Sequence, residues 1–202
     1  MLIKKEFHFY AAHRNQKLTD KCFALHGHRY GVSIFYEAIR RDSNVTIPFS
    51  AFHVAEKYFL EKWDHAAIFD EADPILPYLA QFEKEDLNQS ENGPKMKYVL
   101  LKRPSSVENV CFEIFYDMVQ LGYPVAIVEV KETDSSTVVY SKEDFHHDLA
   151  FFKMDQPATD HECELVTNPF AFKCFICGKT RYEYRVEQRR RKSAAHGGED
   201  IK

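Results

Sequence analysis

The first part of the chain has the alternating hydrophobic pattern of two β-strands. Ile3, Phe7 and Phe9 share one parity and are separated by charged residues, as in a half-buried strand. Residues 28–38 (HRYGVSIFYEA) are rich in aromatic and β-branched side chains, which favours a second strand. Residues 14–25 are largely polar. The pattern therefore predicts two strands that are joined by a loop.

Two later segments have helical periodicity. After Ser50, a candidate N-cap, apolar residues recur at helical spacing as far as Trp63. A second helix is predicted to begin at Ser106 and to end at Gly122, since a proline follows two residues later. The charged residues 83–95 (EKEDLNQSENGPK) lie between the two helices and predict an exposed loop.

The second helix is followed by a predicted strand pair. Residues 124–130 (PVAIVEV) and 137–140 (TVVY) have strand composition, with a turn at Asp134 between them. The order strand, strand, helix, helix, strand, strand predicts an α+β fold, in which an antiparallel four-stranded sheet carries two helices on one face. The regular pattern breaks down beyond this pair, which predicts a domain over residues 1–144 and an extension over residues 145–202.

Composition narrows the class of protein without identifying a function. Of 202 residues, 45% are hydrophobic and 29% are charged, which is typical of a soluble globular protein. The net charge of -4 gives no general case for nucleic-acid binding. No apolar run approaches the ~20 residues of a membrane span, and residues 1–10 lack the apolar core of a secretory signal. We therefore expect a cytoplasmic protein whose five irregularly spaced cysteines are reduced thiols.

Three histidines form a candidate metal site. His26 and His28 lie at the start of the second predicted strand, and residues two apart on a strand project from the same face. His13 ends the preceding strand, which as a neighbour about 4.8 Å away can supply a third ligand. Three nitrogen ligands with an open fourth position are typical of a catalytic zinc ion. The alternative is an ordinary surface or core His-x-His pair.

Cys22 favours the metal interpretation, because it lies four residues before His26. A cation lowers the pKa of a neighbouring thiol and makes it a usable base or nucleophile. The alternative is that Cys22 is a small buried hydrophobic residue.

Four motifs resemble the 6-pyruvoyl-tetrahydropterin synthase and 6-carboxy-tetrahydropterin synthase family. In the family's order they are the N-terminal signature at 9–14 (FYAAHR) and 21–30 (KCFALHGHRY), the Leu-Asp-His segment at 63–66 (WDHA), the Pro-Thr-x-Glu-Asn helix start at 104–110 (PSSVENV), and the closing strand pair at 130–133 (VKET) with Tyr140. The chain departs from the family in two features, a serine in place of the usual threonine of the helix start and the C-terminal extension.

The resemblance implies a tunnelling fold whose subunits assemble into barrels, commonly hexamers, with active sites at subunit interfaces. It implies Zn²⁺ on the three histidines and a proton-abstracting thiolate at Cys22. Asp64 would orient His65 as the companion acid/base pair. The alternative for Asp64 and His65 is a helix C-terminal cap.

The resemblance also implies a pterin site. Glu132 would accept hydrogen bonds from the amino and ring N–H groups of the pterin, and Ser105 and Ser106 are candidate substrate contacts. The alternatives are an exposed carboxylate at a strand end for Glu132 and an ordinary helix N-terminus for the two serines.

The short Cys-x-x-x-His-Gly-His spacer resembles the 6-carboxy-tetrahydropterin synthases of queuosine and 7-deazaguanine biosynthesis. The implied substrate is 7,8-dihydroneopterin triphosphate, and the implied by-products are acetaldehyde and triphosphate. Basic residues should meet the triphosphate, with Arg14, Lys17 and Lys21 as candidates and solvated loop charge as the alternative. Two other functions stay open: a pyruvoyl-forming or related pterin lyase, and a metal-binding interaction protein with a vestigial pterin pocket.

The C-terminal extension contains a second candidate metal site. Its four candidate zinc ligands are His161, Cys163, Cys174 and Cys177. The alternative is a pair of free thiols. The basic run 189–192 is a candidate phosphate or nucleic-acid contact, and the alternative is a solvated chain end.

Overall fold

A computed structural model describes residues 1–38, 48–83 and 96–154. Within these ranges the elements are β1 (Leu2–His13), β2 (His26–Glu37), α1 (His53–Tyr58), β3 (Ala66–Asp70), α2 (Leu76–Phe82), β4 (Tyr98–Leu101), α3 (Val107–Gln120), β5 (Val125–Thr133), β6 (Ser136–Ser141) and α4 (Lys142–Phe151). None of the described helices has the length and apolar character that crossing a membrane requires. The predicted second zinc site and the basic run at 189–192 lie outside the described residues.

Among the described residues, the strands form one mixed sheet of six strands in the order β4-β3-β1-β2-β5-β6. The predicted antiparallel sheet of four strands was therefore wrong in strand number and in part of its directions. β1, β2, β5 and β6 pair antiparallel as predicted, whereas β3 pairs parallel with both β1 and β4. Both added strands are short. The four residues of β4 are all apolar, and β3 is buried along most of its length, so neither sequence has the alternation of apolar and polar residues that identifies a strand.

The sheet has one covered face and one open face. Phe9 and Ala11 of β1 and Tyr30 and Val32 of β2 point to the covered face and are buried in the core. Helix α3 packs across this face against β5 and β6. We call the opposite side, which carries the half-exposed Tyr10, the open face.

The helix predicted after Ser50 is three successive turns. A 3₁₀ turn (Phe49–Phe52) leads into α1, which runs into a π-turn (Phe59–Trp63). The backbone N–H of Asp64 closes the π-turn by donating to the carbonyl of Phe59 at 2.9 Å. π-turns are rare and occur often at functional sites.

The other predicted helix is confirmed as α3. Ser106 is its N-cap, and Gly122 follows its end with a φ of 89°, a conformation that glycine adopts without strain.

Helix α4 continues the fold beyond residue 144. Ser141 and Asp144 form a capping box at its start. Phe145 is buried with its ring centroid 4.4 Å from that of Phe115 in α3. The helix therefore belongs to the core, although its sequence is only weakly amphipathic. The division of the chain into two domains stays a prediction.

Candidate active site

The pairing of β1 with β2 brings three histidines together. His13 lies opposite His26 in the register, and His28 lies opposite Ala11. The three rings share the covered face at one end of the strand pair, with centroids 4.6 to 5.2 Å apart. One nitrogen of each ring lies within 4.8 Å of the other two. The chain thus collects the three predicted ligands at a single point.

Backbone carbonyls fix the orientation of two of these rings. The Nδ1 atom of His13 is 2.8 Å from the carbonyl oxygen of Ser105, and that of His26 is 2.7 Å from the carbonyl oxygen of Ala24. A carbonyl oxygen only accepts, so each Nδ1 carries the proton and each Nε2 keeps its lone pair. Such outer partners are typical of metal-ligating histidines.

The residues fit a metal ion. The Nε2 atom of His13 is buried and has no hydrogen-bond partner within the described part of the chain. A buried nitrogen with a free lone pair is costly unless a ligand satisfies it. Burial, the largest cause, also lowers the pKa of His13 and of His28. Burial therefore favours the neutral form of both rings, which is the form that binds metals.

Glu132 lies beside the histidines at the end of β5. One carboxylate oxygen is 3.4 Å from Nε2 of His13, and it accepts a hydrogen bond of 3.3 Å from the hydroxyl of Tyr30. The side chain keeps 23% of its surface exposed. Its carboxylate is therefore held in place by Tyr30 and is accessible at the edge of the cluster.

Cys22 lies in the loop that leads into β2. It sits in a short 3₁₀ turn (Lys21–Phe23) whose N-cap, Asp20, accepts a 2.8 Å hydrogen bond from the backbone N–H of Cys22. The carbonyl of Cys22 accepts a 2.8 Å bond from the N–H of Asn15. Burial raises the pKa of the half-buried thiol, and so do Asp20 and the charge of Glu132. In this environment the thiol is protonated, and a cation at the histidines would favour its ionisation.

Arg14 holds this loop from the inside. Its Nε atom is 3.1 Å from the buried carboxylate of Asp73, and its guanidinium stacks over Phe23 at 4.5 Å. Its carbonyl accepts a 2.5 Å hydrogen bond from the hydroxyl of Ser105. Arg14 is therefore engaged within the fold, whereas the other two basic residues of the loop, Lys17 and Lys21, are exposed.

The two serines of the α3 start have structural partners. Ser105 is completely buried and supports His13 through its carbonyl. Ser106 is the N-cap residue of α3, and its hydroxyl accepts a 3.3 Å hydrogen bond from the amide of Asn109. The same amide donates to the carbonyl of Pro104 at 2.9 Å. Asn109 thereby fixes the segment that orients His13. Sequence analysis had placed it only in a motif.

Asp64 and His65 form a close pair directly after the π-turn. Nδ1 of His65 is 2.8 Å from Oδ2 of Asp64. The other carboxylate oxygen accepts a 3.0 Å bond from the N–H of Tyr10, which is the main cause of a lowered pKa at Asp64. His65 has a positive φ of 57°, and its N–H donates to the carbonyl of Tyr10 at 2.7 Å. The ionised carboxylate therefore holds the imidazole in one orientation.

Lys97 supports the Asp64–His65 pair, and no pattern in the sequence predicted this role. Its ammonium group donates to the carbonyls of Leu60 and Asp64, at 2.9 and 2.7 Å. These are carbonyls at the end of a helical segment, where a cation is favourable. Lys97 is 33 residues from Asp64 in sequence. The sequence indicated only that the carbonyls at the end of the helical segment need a hydrogen-bond donor. It did not indicate which residue supplies that donor.

The pair and the three histidines lie on opposite faces of the sheet. The ring of His65 is 6.3 Å from that of Tyr10, which belongs to the open face. Both line an open recess of about 470 Å³ that runs along the paired backbone of Ala11 and His28. The imidazole of His65 is 81% exposed there. A single chain therefore does not present Asp64 and His65 to the face that holds the metal ligands.

A search of solved structures finds similar chains at low sequence identity, one of them with a TM-score above 0.5. The chain superimposes on an uncharacterized protein from Wolinella succinogenes with a TM-score of 0.57 and 21% identity, over 70% of this chain and 98% of the other. The 6-pyruvoyl tetrahydropterin synthases of Caenorhabditis elegans and Plasmodium falciparum match with TM-scores of 0.48 and 0.49 and identities of 18% and 20%. Each match covers 70% of this chain, and 94% and 97% of the other chain respectively.

Sequence comparison identifies the family. No curated protein shows significant similarity to the chain. The model of the family described as 6-pyruvoyl tetrahydropterin synthase matches residues 2–143, more than two thirds of the 202-residue chain. This range ends within α4 and contains the three histidines, Cys22, the Asp64–His65 pair and Glu132. The chain belongs to the 6-pyruvoyl tetrahydropterin synthase family.

Proposed function

We propose that the chain is a zinc-dependent lyase that converts 7,8-dihydroneopterin triphosphate and water into 6-carboxy-5,6,7,8-tetrahydropterin, acetaldehyde and triphosphate. The observation that carries this proposal is the cluster of His13, His26 and His28. Their nitrogens lie within 4.8 Å of one another, and the Nε2 atom of His13 is buried without a hydrogen-bond partner among the described residues. Neutral imidazoles with an open position suit catalytic zinc.

The three histidines and Glu132 have separate roles on the side of the site that binds the metal. The three histidines would hold the ion, and a bound zinc supplies a Lewis acid for the oxygens of the substrate side chain. Glu132, held by the hydroxyl of Tyr30, accepts hydrogen bonds from the N–H groups of the pterin. This contact sets the distance between the ring and the side-chain carbons that react.

Two groups are suited to move protons. Cys22 takes a proton from a side-chain carbon, for which its thiol must first ionise. His65 receives and returns protons through Nε2, since Asp64 holds its Nδ1 at 2.8 Å. A positioned base and its orienting carboxylate are the arrangement expected for general acid–base catalysis.

The site is completed between subunits in this proposal. His65 lies on the open face and the metal ligands lie on the covered face, so one substrate meets both only when a second copy supplies the pair. We infer a closed ring of subunits of the hexamer type, in which Asp64 and His65 of one subunit face the histidines of the next. Symmetric closed assemblies are the common way in which a chain presents one patch to another.

The experiment is an analysis of the reaction products. Zinc-loaded protein is incubated with 7,8-dihydroneopterin triphosphate, and the pterin product is identified by mass. The carboxy product is expected because three residues separate Cys22 from His26. A pyruvoyl product would place the chain in the other branch of the family, and no pterin product would overturn the lyase proposal.

A pair of cysteine variants assigns the proton transfer. Cys22→Ala should lose at least about a hundredfold in kcat and keep its zinc. Cys111→Ala removes a cysteine that is buried in α3 and should retain activity.

A further inference from the structure

The open recess beside His65 has the features of an anion site. The small residues Ala12, Gly27 and Ala66 are among those that line it, so that no large side chain fills the space above their backbone. Arg29 and His65 line it, and the half-exposed ring of Tyr10 forms part of its wall. The recess thus places a cation and an exposed imidazole around about 470 Å³ of accessible space.

The positive charge of Arg29 has no partner among the described residues. Its side chain is exposed, and its guanidinium has no ion pair or hydrogen bond there. Other cations near the same face are paired: Lys4 with Glu6 at 2.7 Å, and Lys131 with Asp134 at 3.6 Å. The guanidinium is therefore free to bind a ligand, and its planar fork matches phosphate oxygens.

The chemistry of the substrate says which group should lie there. The triphosphate of a dihydroneopterin triphosphate is attached to the last carbon of a three-carbon side chain. The side-chain carbons on which an acid/base group acts are therefore only a few covalent bonds from the first phosphate. A cation in the same recess as His65 is well placed for the phosphates, whereas Arg14 is committed to Asp73.

We propose that Arg29 binds the triphosphate arm of the substrate whose side chain faces His65 of the same subunit. This proposal rests on the function proposed above and adds a specificity-determining residue to it. It makes Arg29 the reason for a preference for the triphosphate over the unphosphorylated pterin.

The test compares two pterins that do not react, neopterin and neopterin triphosphate. Their affinities for the zinc-loaded, full-length protein are measured by calorimetry. In the wild type the triphosphate should bind more tightly. In Arg29→Gln this advantage should shrink about tenfold or more, the size expected for a hydrogen-bonded charge, and the affinity for neopterin should stay the same.

Two variants with the same change of charge are the controls. Lys131→Gln lies near Arg29 on the open face and tests the general field of that face, and Lys21→Gln tests the loop near the metal ligands. Both should keep the triphosphate advantage. An unchanged advantage in Arg29→Gln, or an equal loss in either control, would overturn the role of Arg29. Absence of binding of both pterins by the wild type would instead overturn the proposed function and this role with it.

Discussion

His13 lies directly opposite His26 in the β1–β2 pair, with ring centroids 4.6 Å apart. This register places His28 on the same face, diagonally across from His13. A shift of one residue would turn His26 and His28 to the open face, since neighbouring positions on a strand point to opposite sides. The candidate metal site is therefore a direct consequence of strand pairing, and the buried residues Phe9 and Tyr30 keep that pairing in register.

The first prediction concerns metal binding. His28→Ala removes one of three ligands. Loss of an outer partner alone costs up to about a hundredfold in metal affinity, so loss of a ligand should weaken zinc binding at this site about a hundredfold or more. His8→Ala, which removes an exposed histidine from the open face of β1, should leave it unchanged. Competition with a chromophoric chelator measures both affinities. Equal affinities in the two variants would contradict the assignment of His28.

The second prediction concerns the pH dependence of the metal-free protein. Burial lowers the pKa of His13 and of His28 below 6.5. At acidic pH the unfolded chain therefore binds more protons at these two residues than the folded chain does. Stability should therefore be unaffected by these groups above the usual histidine pKa and should fall as the pH drops below it. Thermal unfolding between pH 7.5 and about 5 tests this. His28→Asn should flatten the decline, and His8→Asn should not.

The third prediction concerns Lys97. Lys97→Met leaves the carbonyls of Leu60 and Asp64 without their donor and should loosen the Asp64–His65 pair. Hydrogen bonds to a charged group contribute about 1.5–3 kcal/mol, and less where water replaces the donor, as it can at these partly exposed carbonyls. We expect kcat to fall about tenfold while zinc content and KM change little. Lys102→Met, at an exposed position shortly after β4, is the matched control. Steady-state kinetics that show wild-type kcat in Lys97→Met would contradict the positioning role.

The fourth prediction concerns the shared site. Cys22→Ala and His65→Ala should each be inactive alone, because each lacks one proton-transfer group. In mixed assemblies formed by co-expression, random pairing puts an intact Cys22 beside an intact His65 in about a quarter of the interfaces. About a quarter of the wild-type activity should therefore return. No recovery in verified mixed assemblies would mean that both groups act from one chain.

The sequence predicted those parts of the fold whose patterns are long and regular. β1, β2 and α3 have clear periodicity, and α3 is bounded by Ser106 and Gly122. β3 and β4 have five and four residues, too few for a periodic signal. Helix α4 was missed because only Phe145 and Leu149 of its ten residues are buried.

The candidate site was predicted where local spacing decides the geometry. His26 and His28 share a face because of strand periodicity alone. The contact of Glu132 with His13 and the support from Lys97 depend on pairing between distant segments, which no local pattern encodes. Asp64 and His65 lie on the opposite face of the sheet from the metal ligands, and only the complete sheet shows this.

The most direct test of the central claim is the dependence of turnover on zinc at the three histidines. Chelated protein should not convert 7,8-dihydroneopterin triphosphate, and added zinc should restore the wild type but not His28→Ala. Conversion at the wild-type rate by thoroughly chelated protein, or by His28→Ala, would contradict the account.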